Sequence, residues 1–220
     1  MKVLVLGDMI TSGYRLHSQQ TFSSVLERML RQNGYGSITV VDYTNPYYTT
    51  SAVLEQMENV LAHRPDVVVL QLGSNDARRL VATHAIYNNI SNIVGRLQQR
   101  GAYVVLMGVS LGEDGDPSYN IQLQNSFDRI ADFYRLAYYP DAMRGISGVS
   151  EYLLADGVYP NGMGVEIMVG QVYHLVDAGL RWKWDRINDQ RGFQPEIKEA
   201  LPPAMPPTVE PRPLSPAVGR

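Results

Sequence analysis

Cysteine is absent from this 220-residue chain, which excludes a disulfide framework, a thiol nucleophile and any thiolate-held zinc or iron–sulfur centre. Histidine is scarce. The four present, His17, His63, His84 and His174, have no metal-like spacing to one another or to a carboxylate pair, so neither a metal nor another cofactor is expected. There is no strong charge excess: a formal net charge of -3 exerts no general pull on a phosphate backbone, and no nucleic-acid partner is expected. Long apolar runs are missing too. The one at the N-terminus, Met1 to Gly7, is too short for a signal-peptide core and leads straight into a turn, so a cytoplasmic chain without a membrane span is expected. The Gly7 to Gly13 turn has neither the G-x-G-x-x-G spacing nor a Walker lysine–hydroxyl pair, which removes nucleotide binding.

What is present is a hydrophobic share of 45% with 19% charged residues, the composition of a soluble globular protein able to fold on its own core. Apolar β-branched runs alternate with helical-period segments from Lys2 to about Gly179. That alternation predicts a parallel sheet covered on both faces. The runs are Val3 to Leu6, Ile38 to Val41, Val67 to Leu70 and Tyr103 to Met107. Phe22, Val25, Leu26, Met29 and Leu30 share one helical face and stop at Asn33-Gly34. A second helix is expected to carry Val53, Leu54, Met57, Val60 and Leu61 behind the Thr49-Thr50-Ser51 caps, and a third Ile86, Ile90, Ile93, Val94 and Leu97. Two more are expected around Leu123 to Phe133 and Val165 to Val176.

The last 40 residues change character. Eight of the 13 prolines lie from Pro195 onward, including Pro202-Pro203 and Pro206-Pro207, a composition that favours extended polyproline conformations over helix or sheet. The expected organisation is a body at 1–180 and a proline-rich tail at 181–220. Both tryptophans, Trp182 and Trp184, open that tail, and such aromatic surface needs a cover. Either the tail folds back on the body or a partner takes it. The 14 tyrosines outnumber the four phenylalanines, and the groups Tyr43, Tyr47, Tyr48 and Tyr134, Tyr138, Tyr139 fit a protein interface or half-buried edges equally well.

Three blocks in order carry a family resemblance. The turn after the first strand reads Gly7-Asp8-Met9-Ile10-Thr11-Ser12-Gly13, the turn after the third reads Gly73-Ser74-Asn75-Asp76, and Asp156-Gly157-Val158-Tyr159-Pro160-Asn161 precedes the last helix. Together they resemble the GDSL or SGNH hydrolases, whose blocks are G-D-S-x-T-x-G, G-x-N-D and D-x-x-H-P-N. The resemblance implies a flavodoxin-like three-layer α/β/α sandwich of about five parallel strands, with the site at their carboxyl ends. It implies a serine–histidine–aspartate hydrolase in which the asparagine, here Asn75, donates to the oxyanion. A glycine amide completes that hole; the register puts Tyr47 at its position.

The departures fall on the reacting groups. Met9 stands where the family has its serine, and Tyr159 where it has its histidine; Asn75 and Asp156 remain. A thioether has no proton to lose and forms no stable acyl intermediate. A tyrosine hydroxyl titrates near pH ~10 and is a very poor base at neutral pH, and an adjacent carboxylate at Asp156 would raise it further. No catalytic residue is therefore expected. The added bulk predicts a filled cleft in which Tyr159 donates to Asp156 and Met9 packs on a tyrosine ring.

Ser12 or Thr11 as a shifted nucleophile and His17 as a displaced base compete with plain helix-capping and loop roles. Asp8 and Arg78 are candidate ligand contacts; for Arg78-Arg79, an anion site competes with ordinary surface charge. Two functions follow. One is a non-catalytic interaction or structural subunit, self-associating or holding a protein partner through the tyrosine-rich surface and the Trp182/Trp184 tail. The other is a divergent ester hydrolase of the esterase, thioesterase or lysophospholipase kind with a relocated nucleophile. Between them lies a cleft that binds an acyl or sugar ester without turnover.

Overall fold

The computed structural model describes residues 1–112 and 115–189. Five strands, β1 (Lys2–Gly7), β2 (Thr39–Thr44), β3 (Val67–Gln71), β4 (Tyr103–Met107) and β5 (Ala137–Tyr139), form one sheet in the order β2-β1-β3-β4-β5. Every pairing is parallel, with Val3 opposite Val40 on one side and Val67 on the other. This is the expected flavodoxin-like sandwich. Because side chains alternate along a strand, Val3 and Val5 point into one layer and Leu4 and Leu6 into the other.

The Val3/Val5 face is covered by α1 (Phe22–Gln32) and α7 (Gly162–Asn188), which bury Phe22, Leu26, Met168 and Val172. The Leu4/Leu6 face is covered by α2 (Thr50–Glu55), α3 (Met57–Ala62), α5 (Thr83–Gln99) and α6 (Pro117–Tyr134), with Met57, Ile90 and Phe127 in its core. A single turn, α4 (Ser74–Arg78), follows β3. Two layers of helix on one sheet leave the loops at the carboxyl ends as the place for a site, and strand order reverses beside β1.

Two elements differ from the sequence reading. The helix expected across Val53 to Leu61 is split at Gln56, whose side-chain amide donates to the Ala52 carbonyl at 3.1 Å. The last helix, expected around Val165 to Val176, runs on past the body–tail boundary at 180: α7 continues through Trp182 and Trp184 to Asn188. Trp182 packs on Tyr103 with centroids 5.4 Å apart, and Lys183 donates to the Gly101 carbonyl at 2.8 Å. These contacts with the amino-terminal end of β4 hold the extra turns in place. The expected proline-rich segment from Pro195 onward lies outside the described residues. Among those described, no helix is long and apolar enough to cross a membrane.

Candidate active site

The three blocks meet at the carboxyl ends of β1 and β3, and each surviving polar residue is tied to backbone. Asp8 is fully buried; its carboxylate accepts the Ser74 amide at 2.7 Å and the Ile10 amide at 3.3 Å. Burial pushes its pKa up to about 6, against the pull of those amide hydrogen bonds. Asp8 was expected to be open to ligand; instead it is sealed, and clasps the β1 turn to the β3 turn. Next to it Thr11 donates to Gln71 Oε1 at 3.1 Å, and Ser12 donates to the Met9 carbonyl at 3.2 Å. The Thr11 hydroxyl is thus tied across to β3 and the Ser12 hydroxyl to its own turn.

Met9 occupies the turn after β1, only 4% exposed, in the apolar cluster that includes Leu153 and Val165. The turn opposite begins at Gly73, whose φ of 113° needs glycine. Asn75 follows, and its side-chain amide donates to the Pro46 carbonyl at 2.9 Å and the Tyr48 carbonyl at 2.7 Å. The Tyr47 amide donates to Asn45 Oδ1 at 2.9 Å, while its ring stands 74% exposed. The two expected oxyanion donors thus hold the loop between β2 and α2, with their protons already engaged. Asp76 completes that attachment by accepting the Thr50 amide at 2.9 Å and hydroxyl at 2.8 Å.

In the third block Asp156 accepts the amides of Val158 at 3.0 Å and Tyr159 at 3.1 Å, and Arg15 lies 3.7 Å away. The Val158 and Tyr159 amides hold its carboxyl below the usual range, with help from Arg15. The expected Tyr159–Asp156 hydroxyl bond is replaced by these amides. The Tyr159 ring lies against Tyr14, centroids 4.8 Å apart, and burial pushes its hydroxyl upward, away from any role as a base near neutral pH. Asn161 caps α7 by accepting the Met163 and Gly164 amides at 2.9 and 3.1 Å.

A cleft of about 1010 Å³ lies beside Met9, Ser74 and Arg78, while Tyr47, Asn75, Asp156 and Tyr159, the other residues around the expected plug, do not line it. Its other walls are the segments after β4 and β5, which bring in Ser110, Asp141 and Arg144. Arg78 lines it and Arg79 does not. Asp141 is half-buried; desolvation raises its pKa, opposed by the Met143 amide at 3.0 Å and by Arg144. These wall residues carry no motif. Only their place just past β4 and β5, at the carboxyl edge, marks them. Among the described residues no histidine lines the cleft: His17 begins a short 3-10 turn, His63 packs edge-on against Tyr43, and His174 sits on α7. The tyrosine groups are mostly packed, with Tyr134 7% exposed and Tyr43 against Tyr48; Trp184, at 59% exposure, stands out while Trp182 is covered. The chemistry on offer among the described residues is an amphipathic cleft lined by the exposed Arg78 and by no histidine.

Comparison with known proteins fits this geometry. Residues 5–167 match the model of the GDSL-like lipase/acylhydrolase family. The chain is 28% identical to Esterase TesA of Pseudomonas aeruginosa over 159 residues, covering 72% of this chain and 79% of the relative. It is 26% identical to an arylesterase of Vibrio mimicus over 160 residues, covering 72% and 80%. A crystal structure of TesA superposes with a TM-score of 0.78 at 26% identity, covering 81% of this chain and 99% of that one. The psychrotrophic esterase EstA from Pseudoalteromonas sp. shares the fold, with a TM-score of 0.75 at 21% identity, covering 82% and 98%.

Proposed function

The chain belongs to the GDSL-like lipase/acylhydrolase family, and from that premise we propose that it is a non-hydrolysing member, a binding or interaction subunit that keeps the fold and an open cleft without acyl transfer. One observation carries this reading: a buried thioether, Met9, stands at the β1 turn where the attacking oxygen belongs. Tyr159 packed against Tyr14 supports it, because a phenol with a raised pKa takes no proton near neutral pH. So does the engagement of Asn75 by two carbonyls, since an oxyanion hole works through donors aimed at the developing charge. The ligand class that fits is a carboxylic ester or its acyl part: the cleft sets Met9 and Val109 beside Ser110, with Arg78 at its edge for an anionic group.

A second reading, an ester hydrolase with a relocated nucleophile, is favoured by the names of the relatives and by the open cleft. Its agents would be Ser110 or Ser147 with Asp141, all on the cleft wall. Hydrolysis of short-chain nitrophenyl esters and acyl-CoA separates the two. The non-hydrolysing reading expects the wild-type rate to match a buffer blank, while a medium-chain fatty acid raises the melting temperature. Enzymatic turnover abolished by Asp141→Asn or Ser110→Ala would overturn it in favour of the second.

A further inference from the structure

A second concavity lies at the opposite, amino-terminal end of the sheet, independent of the cleft. It is a groove of about 550 Å³ between the α1–β2 loop and the last turns of α7, with Ile38 and Leu180 in its lining and Tyr35 and Trp184 as aromatic walls. One wall is fixed in advance. The Tyr35 hydroxyl donates to Asp177 Oδ1 at 2.6 Å, and Arg181 grips the other oxygen of that carboxylate at 2.9 Å. The opposite wall is uncovered: Trp184 is 59% exposed. An apolar groove with a rigid tyrosine and an open tryptophan is the kind of surface that receives a polyproline helix, which arrives already extended and loses little entropy on docking.

We propose that this groove is the seat of the chain's own segment Leu201-Pro202-Pro203-Ala204-Met205-Pro206-Pro207, bound within the same molecule. The segment has the P-x-x-P spacing of such ligands, in Pro203-Ala204-Met205-Pro206. Its connection begins at the groove itself: α7 ends at Asn188, one helical turn beyond Trp184. The 13 residues between Asn188 and Pro202 reach at most ~45 Å when extended, ample for a return to a wall one turn away. Such a short tether sets an effective concentration on the order of 1 mM. A segment whose free peptide binds with a Kd of ~0.1 mM therefore occupies its own groove about ten to one. No charge match is needed, since the segment carries none.

The test uses the full chain, in which Trp182 is shielded by Tyr103 and Arg186 and Trp184 reports on the groove. Iodide quenching is compared between wild type and the full-length variant carrying Pro202→Ala, Pro203→Ala, Pro206→Ala and Pro207→Ala, which leaves residues 1–188 untouched. The expected result is a quenching constant roughly twofold higher in the variant, reversed by a synthetic peptide of residues 199–209, with both proteins monomeric by sedimentation. Equal quenching in both overturns the proposal. Protection that grows with protein concentration alongside a dimer also overturns it, assigning the groove to the tail of a second copy.

Discussion

Asp8 shows most directly how a motif residue outlives its motif. Among the described residues its carboxylate has no cationic partner, and it is held by the Ser74 and Ile10 amides in a fully buried position. With a folded pKa of about 6 against 3.8, the native state holds the proton more tightly than the unfolded chain. The contribution to stability is therefore unpenalised below pH ~4 and declines as pH rises through 6, by about 3 kcal/mol at order of magnitude. Asp8→Asn keeps an acceptor for Ser74 and removes the titration. The difference in urea-unfolding free energy between wild type and this variant should move by that amount in the variant's favour from pH 4 to pH 7. A difference that stays flat across the range would refute the assignment. Met9 and Tyr159 could be read directly from the three blocks, because a nucleophile or base is a matter of residue type. The engagement of Asn75 and Tyr47 could not, since it depends on which loop carbonyl or side chain approaches each amide, a long-range matter for Asn75 that no spacing encodes.

At the scale of elements, the alternation of Val3 and Val5 with Leu4 and Leu6 declared both buried faces of β1, and the stripe from Phe22 to Leu30 declared α1. Lost to pattern reading were the break at Gln56, made by a side chain bonding back to Ala52, and the run of α7 to Asn188, held by Tyr103 and Gly101 at the start of β4. The openness of the cleft belongs to this scale as well, because it depends on how the segments after β4 and β5 stand apart. Their contact is set at Gly108, where an added Cβ would lie 2.0 Å from the Pro140 carbonyl oxygen. Backbone meets backbone there, so no side chain can yield. Gly108→Ala should lower stability by about 1–3 kcal/mol in a denaturant titration. Gly170→Ala, where an added Cβ meets nothing within 4 Å, serves as the control and should be neutral or slightly stabilising. Equal midpoints for the two variants would count against the close approach.

For the whole molecule the question is whether chemistry returns when the missing groups do. The scaffold supports a graft: the sheet order, the β1 turn and the α7 cap at Asn161 are all in place. Met9→Ser with Tyr159→His supplies an oxygen and an imidazole beside Asp156, yet that carboxylate is bonded to the Val158 and Tyr159 amides. Asn75, moreover, must leave two carbonyls before it can meet an oxyanion. Breaking those bonds costs about 1–3 kcal/mol, and each ~1.4 kcal/mol is tenfold in rate, so a deficit of roughly 10- to 100-fold follows from Asn75 alone. The double variant should thus hydrolyse nitrophenyl esters measurably above wild type while falling at least that far short of Esterase TesA of Pseudomonas aeruginosa assayed beside it. The shortfall should sit in kcat rather than KM, since the donors act on the transition state. Parity with that relative would mean that the Asn75 amide turns freely toward the cleft, and that two side chains alone separate this protein from its hydrolytic kin.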